Sequence, residues 1–431
     1  MVRTPEWGIE PVMDKHRILG GLDYFILWSS LGVGLLVLSA GSFLSEANFL
    51  DAVVAIIVGS VGGSVLLALA GKIGSDHGIP SLITMRPAFG IRGSYLPATL
   101  NILQLVGWTT FEIMIMARAA DMLTGGILPY YSWAAIFGVL VGLLGIAGPL
   151  NVVRQWVGKF AVWIAYGTSA IIIINLLYSA DISTLVSSPG QGLSLFSALD
   201  LVIAMPISWM PLVADYNRFS KRSKSALWGT FIGFTITNVL FYFGGILLGT
   251  SDVLAIVVSI QAMFFGFLML LLIVDEADNA FADVYSASVS TQDIFARINQ
   301  KYLIIGFTML SAILAMVISI DEYEVFLLLI GAVFIPLFGV VLTDYYIIKR
   351  QKYTEQMLYK SQNRLGIGIP AIIAWTLGVV LNYMLSPLSP IYMPHLPAIG
   401  ATIPSLAAAS LIYLALIKIQ QWHQREVNTK I

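Results

Sequence analysis

The chain contains no cysteine, which excludes disulfides and thiol nucleophiles while leaving the compartment open. Histidine is nearly as scarce. The four present (His16, His77, His395 and His423) are scattered over expected loops and tails, with no HExxH or comparable spacing, so no catalytic zinc cluster is expected. Charge is the third shortage. Asp, Glu, Lys and Arg make up 11% of the 431 residues, against about 25% in soluble domains, too few to cover a water-facing surface. The net charge of −1 supplies no basic face for nucleic acid. A cleavable signal pattern is also missing, because the polar stretch 1–21 precedes a span too long for an h-region.

What replaces these groups is apolar. Hydrophobic residues are 58% of the chain and the mean hydropathy is +0.86. Stretches long enough to cross a hydrocarbon core of ~30 Å, roughly 20 residues each, predict twelve helices near residues 22–45, 51–73, 95–123, 131–148, 155–178, 197–217, 226–249, 254–290, 301–319, 323–347, 367–385 and 398–418. The connections are too short for a soluble domain. The expectation is an all-α integral membrane protein with one transporter-sized unit, 22–418, between tails 1–21 and 419–431.

Basic residues collect in cytoplasmic loops. With the N-terminal tail (Arg3, Lys15, Arg17) inside, the same side receives Lys72, Arg86, Arg92, Arg154, Lys159, Arg218, Lys221, Arg222, Lys224, Arg297, Lys301, Lys349, Arg350, Lys352, Lys360, Arg364, Lys418, Arg425 and Lys430. The opposite loops hold Glu46, Asp51, Asp181, Asp321, Glu322 and His395 without Lys or Arg, and only Arg118 breaks the pattern. Both termini are therefore expected in the cytoplasm of a cell (inner or plasma) membrane protein.

Against this background one segment stands out. Directly after an apolar run, Asp275-Glu276-Ala277-Asp278-Asn279-Ala280-Phe281-Ala282-Asp283 places four carboxylates within nine residues. An ionised Asp at the bilayer centre costs at least ~2.5–3.5 kcal/mol, so such residues face a protein-enclosed cavity handling a cation, a proton or a polar solute. Asp275, Asp278, Asn279 and Ala282 share one face, and Glu276, Asn279 and Asp283 the neighbouring one. Like charges oppose one another's ionisation in a dry site, so some of the four are expected protonated, cation-bound or at a watered surface. Asp275 and Asp278 are the deeper pair; Asp283 reads as near the cytoplasmic helix end.

Two helices carry breakers at mid-membrane depth: Leu31-Gly32-Val33-Gly34-Leu35 in the first and Pro206-Ile-Ser-Trp-Met-Pro211 in the sixth. Unwound backbone at that depth is tolerated where it lines a cavity, and interruptions at corresponding places in two halves point to a transporter's binding site. The two lie five helices apart and both open on Leu-Asp (Leu22-Asp23, Leu199-Asp200), as a five-plus-five inverted repeat would have it. The third helix carries Gln104, Trp108 and Glu112 at i, i+4, i+8, on one face. An indole between an amide and a carboxylate suits a planar ring that stacks and is read along its edge. Taken singly, Trp108 would be core packing and Gln104 interhelical glue; a mid-span carboxylate such as Glu112 is a functional hypothesis by default. Arg118 and Asp121, near the outer end, are expected to pair with each other in a structural or gating role.

Several of these segments resemble the nucleobase–cation symporter family of cytosine, purine, uracil, allantoin and hydantoin permeases. Met85-Arg-Pro-Ala-Phe-Gly-Ile-Arg-Gly-Ser-Tyr-Leu-Pro97 is similar to its R-x-x-F-G-x-x-G-S-x-L-P stretch, Gly107-Trp108 to its substrate-stacking Gly-Trp, and Ala214-Asp215-Tyr216-Asn217-Arg218-Phe219 to its A-D-Y-x-R-F/Y. Ile335-Pro336, Thr343-Asp344-Tyr345-Tyr346 and Lys349-Arg350 resemble its ending of helix 10. The resemblance implies a leucine-transporter-type fold: inverted repeats of five helices, about 22–178 and 197–347, plus peripheral helices at about 367–418. It implies a substrate between helices 1, 3, 6 and 8, with Trp108 as one stacking aromatic, Trp209 nearest the place of the second, and Glu112 where some relatives carry a Gln. Gln104 and Asp275 complete the implied substrate set. The family's sodium positions map to Gly32, Leu35, Asp275, Asp278 and Asn279; the relatives' hydroxyl pair is replaced by Asp278-Asn279, which leaves Na+ and H+ both open as coupling ion.

The expected function is a non-enzymatic secondary symporter importing a cytosine-like or purine-like heterocycle, with no cofactor beyond the coupling Na+ or H+. The alternative is an aminopyrimidine thiamine precursor (hydroxymethylpyrimidine). An amino-acid or amine transporter of the same fold, an intramembrane enzyme using Asp275 and Asp278, and a channel rank lower. The implied partners are the heterocycle and membrane lipid; the oligomeric state is left open.

Overall fold

A computed structural model describes residues 8–148, 162–179, 181–187, 189–250, 253–361, 365–387, 389, 391–393 and 399–429. The start of the expected fifth helix (155–161) and the charges Arg3, Arg154, Lys159, Arg364, Lys430 and His395 lie outside the described residues. Among those described, all regular structure is helical, with two isolated parallel bridges, Leu19 to Ser220 and Ala47 to Leu193. In chain order the α-helices are α1 (Gly21–Ser30), α2 (Leu35–Ser42), α3 (Phe49–His77), α4 (Ser81–Phe89), α5 (Tyr95–Thr124), α6 (Tyr130–Ala147), α7 (Val162–Ser179), α8 (Ile182–Ser187) and α9 (Leu195–Ser208). They continue as α10 (Val213–Asn217), α11 (Ser223–Leu248), α12 (Val253–Ala262), α13 (Phe267–Ile294), α14 (Gln300–Ala315), α15 (Tyr323–Leu342), α16 (Glu355–Tyr359), α17 (Ile369–Leu385) and α18 (Thr402–Thr429).

The apolar composition sets the surface. Large side chains such as Val58, Leu143 and Leu411 stand more than half exposed, a face that fits lipid and not water. Among the described residues six helices can cross a membrane by length and composition, and α1 with the segment Leu35–Glu46, bent by 63° at their break, makes a seventh. Reaching twelve requires also counting the shorter apolar helices, the broken α9–α10 and the acidic α13. Packing divides the helices into groups: α3 lies against α9 and α11, and α11 against α1 and α2; α13 runs along α5, with α6 and α14 beside them; α15 packs on α17 and α18.

Three expectations about elements are corrected. The stretch 254–290 is not one helix: Gly266 adopts φ +80°, a left-handed conformation that ends the preceding 3-10 turn and starts α13. Pro206 lies inside α9, and the interruption falls one turn later, over residues 209–212. The matching Leu-Asp openings do different things. Asp23 accepts the Gly20 N–H at 2.7 Å as a local cap, whereas Asp200 accepts the N–H groups of Ala401 and Thr402 at 2.7 and 3.0 Å and holds the start of α18.

Many basic residues assigned to loops by charge alone are built into the fold. Arg86 in α4 makes a buried 2.8 Å ion pair with Asp293 near the end of α13, and Ser94 Oγ donates to the same carboxylate at 3.1 Å. Arg218 is fully buried and donates to the Tyr285 hydroxyl at 2.8 Å and to the Gly8 carbonyl at 2.7 Å. The N-terminal segment is thereby laid across this end of the bundle, where Tyr359 Oη also donates to the Ile9 carbonyl at 2.8 Å.

Candidate functional site

At the first break α1 ends at Ser30 and α2 begins at Leu35. Backbone polar groups freed in this way must find partners at membrane depth, and α13 supplies them. Glu276 Oε1 accepts the Leu36 N–H at 3.2 Å, and Asn279 Nδ2 donates to the Val33 carbonyl at 3.0 Å. The two residues are three apart and share a helix face. A Cβ on Gly34 would lie 2.7 Å from Glu276 Oε1 and 3.3 Å from Asn279 Nδ2, so glycine is what permits the close approach. From another side, Tyr323 Oη of α15 donates to the Leu36 carbonyl at 2.9 Å.

The second break, 209–212, is held by α5. Gln104 Nε2 donates to the Ser208 carbonyl at 3.1 Å and to Asn101 Oδ1 at 2.7 Å. Asn101 Nδ2 donates to Ser290 Oγ at 2.8 Å and to the Pro211 carbonyl at 3.4 Å. On the far side, Ser81 at the start of α4 accepts the Ala214 N–H through its hydroxyl at 2.9 Å, and Asp215 Oδ1 accepts the Ser81 N–H at 2.9 Å. Asn101 was not among the residues expected from the sequence; its place one turn before Gln104 on the same polar stripe was the available signal.

The aromatic groups fall in two clusters. Trp108 meets Tyr323 and Phe326 edge-on, at centroid distances of 5.8 and 5.4 Å. Trp209 meets Trp28 at 6.0 Å and Phe234 at 6.5 Å, and Trp28 is fixed by its Nε1 donating to Asn217 Oδ1 at 2.9 Å. No ring contact joins Trp108 to Trp209. Glu112, one turn beyond Trp108, is buried and within electrostatic reach of Asp283 and Glu276.

That contact corrects the expectation for Asp283. It is buried in the interior of α13, which runs on to Ile294, and is not a polar residue at a helix end. Arg118 is a second correction. It forms no ion pair with Asp121; its guanidinium lies 4.4 Å from the centroid of the Tyr130 ring, a cation–π contact. On α13 the structure places Glu276 and Asn279 at the first break. Asp275 and Asp278 are buried beside them, and Asp275 Oδ2 and both carboxylate oxygens of Asp278 lack a hydrogen-bond partner. Gly32 lies in the break against Thr237 of α11, and the Leu35 carbonyl accepts from Ser39 Oγ at 2.8 Å.

Chemically, this is an acidic, closed site. The ion pairs among the described residues are Arg17–Asp14, Lys72–Asp76 and Arg86–Asp293; none neutralises Glu112, Asp275, Glu276, Asp278 or Asp283. Among the described residues no three His, Cys, Asp or Glu are grouped as a transition-metal centre would have them. Buried carboxylate oxygens without partners suit a hard cation or a proton.

The chain was compared with known proteins. Its residues 11–402 match the model of a family described as permease for cytosine/purines, uracil, thiamine, allantoin. The cytosine permease of Escherichia coli (strain K12) is 24% identical over 409 residues, covering 90% of this chain and 89% of the relative. Among solved structures, Mhp1, a nucleobase-cation-symport-1 family transporter in a closed conformation with bromovinylhydantoin bound, superposes with a TM-score of 0.79 at 17% identity, over 96% of this chain and 95% of that one. The inward-facing conformation of Mhp1 gives 0.76 at 20% identity, over 97% and 94%. These likenesses establish the fold.

Proposed function

The chain belongs to the family of permeases for cytosine/purines, uracil, thiamine and allantoin, and from that premise we propose that it is a secondary symporter. It imports a nucleobase or related nitrogenous heterocycle, cytosine-like or purine-like, driven by a Na+ or H+ gradient through alternating access. Its relatives are permeases and not enzymes. The observation that carries the proposal is the meeting of two helix faces. The Gln104–Trp108–Glu112 face of α5 and the Glu276–Asn279 face of α13 converge on the two broken helices, with no Lys or Arg neutralising their carboxylates.

The roles divide accordingly. Trp108 offers a ring face and Glu112 an acceptor for substrate. Gln104 and Trp209 belong to the frame of the second break, and Asp275 lies next to Glu276 on α13, buried with one carboxylate oxygen unpartnered. Gly32, Leu35, Asp278 and Asn279 bound the coupling side, where Asp278 carries a proton or faces the cation. On this reading 22–178 and 197–347 are the inverted repeats, the helices within 367–418 are peripheral, and both tails are cytoplasmic. That Mhp1, similar in fold, has been solved in closed and inward-facing conformations supports alternating access. The thiamine-precursor aminopyrimidine remains the second reading, favoured by a carboxylate at Glu112.

Uptake of labelled cytosine, adenine and hydroxymethylpyrimidine into proteoliposomes, with Na+ and pH gradients imposed separately, tests the proposal. Gradient-dependent uptake of at least one is expected, and its absence for every heterocycle tried rejects symport. Trp108→Ala is expected to abolish binding; unchanged affinity would remove the stacking role.

A further inference from the structure

Resting on the heterocycle-permease reading, we propose that the transported ring is selected by its hydrogen-bond donors, so that an amino-substituted heterocycle is preferred over the oxo ring of the same skeleton. The inference comes from which polar atoms at the site already have partners.

The amide nitrogens are committed to the scaffold. Gln104 Nε2 is held by the Ser208 carbonyl and Asn101 Oδ1, and Asn279 Nδ2 by the Val33 carbonyl. A backbone carbonyl can only accept, so neither amide can turn over without setting oxygen against oxygen. Their oxygens, Gln104 Oε1 and Asn279 Oδ1, are buried and without a partner. Glu112 Oε2 and Glu276 Oε2 are buried and unpartnered as well. Four acceptors are therefore matched on these helix faces by two unpartnered side-chain groups able to donate, Trp108 Nε1 and the Ser286 hydroxyl, the latter equally able to accept.

Several backbone donors at the breaks are already engaged, and the Gly34 N–H at the start of α2 adds one donor without a backbone partner. Gly32, Val33 and Leu36 donate to Ser29, Ser30 and Glu276. Met210, Leu212 and Ala214 donate to Ile207, Trp209 and Ser81, and Pro211 has no N–H. Protonating one carboxyl converts a single oxygen to a donor and leaves both amide oxygens as acceptors. Buried acceptors left unmet carry their full desolvation loss. A ligand rich in N–H groups relieves that loss, whereas an added ring carbonyl would face oxygen.

The test uses matched pairs on the wild-type full-length protein in lipid nanodiscs: cytosine against uracil, and adenine against hypoxanthine, each titrated by calorimetry. The amino member is expected to bind about tenfold or more tightly than its oxo partner. Oxo members binding equally well or better would overturn the donor rule while leaving the permease reading standing. Binding by none of the four would overturn the donor rule together with the cytosine-like and purine-like reading, and would leave only the aminopyrimidine reading. Glu112→Gln, which adds a donor without changing shape, is expected to shrink the cytosine-to-uracil ratio to below about threefold. A ratio that stays at the wild-type value in a variant that still binds cytosine would overturn the part assigned to Glu112.

Discussion

The break between α1 and α2 and the break between α9 and α10 pose one physical problem, because each exposes backbone N–H and C=O groups where no bulk water reaches. They meet it with different chemistry. At the first, α13 presents a carboxylate to the Leu36 N–H and an amide to the Val33 carbonyl. At the second, α5 presents two amides to the Ser208 and Pro211 carbonyls, and Ser81 with Asp215 forms a reciprocal cap beyond them. Amides do not titrate, so the part of the second break that α5 holds is the same whatever cations are present, and the one ionisable group named there is Asp215 in the cap beyond it. The Glu276 clamp changes when a proton or cation engages the carboxylate. The contrast teaches where coupling and recognition divide: the charged clamp is suited to respond to the ion, the neutral clamp to keep the substrate's frame still. Since α5 and α13 pack along each other, both clamps belong to one wall.

The harshest way to break the contrast is Glu276→Ala, which leaves the Leu36 N–H buried without its acceptor. On the order of a hundredfold loss of uptake is expected, since a vacated buried partner costs ~1–3 kcal/mol and a carboxylate beside the coupling residue Asp278 disappears too. Glu276→Gln keeps the carbonyl acceptor. It should restore substrate binding, measured by calorimetry, while gradient-driven uptake stays below wild type; full gradient drive would leave the coupling charge to Asp278 alone. Next in size is Gln104→Ala, which frees the Ser208 carbonyl. Affinity should fall by roughly tenfold, in line with about 1.4 kcal/mol, while the ratio of uptake with and without the ion gradient stays as in wild type. A changed ratio would end the division of roles.

Gly34→Ala probes the approach distance itself, because the added Cβ would press on Glu276 Oε1 at 2.7 Å. A several-fold fall in uptake is expected. Gly62→Ala, whose Cβ would meet nothing within 4 Å, should leave uptake unchanged and raise the melting temperature slightly, as Ala in a helix is favoured by ~0.5–1 kcal/mol. Ser81→Ala acts on stability and not on coupling. Losing this cap should lower stability by ~0.5–2 kcal/mol, read as a thermal shift, with ion dependence intact.

Much of this was legible along the chain. Gly32 and Gly34 marked the first break, and Gln104, Trp108 and Glu112 do share a face of α5. Pro206 misled by one turn. Its ring lies against Gly63 of α3, where a residue without a side chain makes room, so the helix continues through it to Ser208. Asp283 was misplaced because distance from a helix end was judged before that end, Ile294, was known. Asn101 escaped notice because a single amide has no periodicity of its own; only the carbonyl it meets gives it a role. Trp209 was the aromatic nearest the expected sandwich, yet its ring turns to Trp28 and Phe234, which a linear spacing does not encode.

The sequence by itself determined the class of protein, the place of the first break, and the concentration of charge in α13. Each follows from local hydropathy, glycine or residue period, and none needs a neighbour. Which of four closely spaced carboxylates reaches the first break was decided only by tertiary structure. Adjacent residues on a helix point about 100° apart, so Asp275, Glu276 and Asp278 look toward different neighbours. The packing of α13 along α5, with its hydrogen bonds to Val33 and Leu36, is what turns Glu276, with Asn279, toward the open backbone.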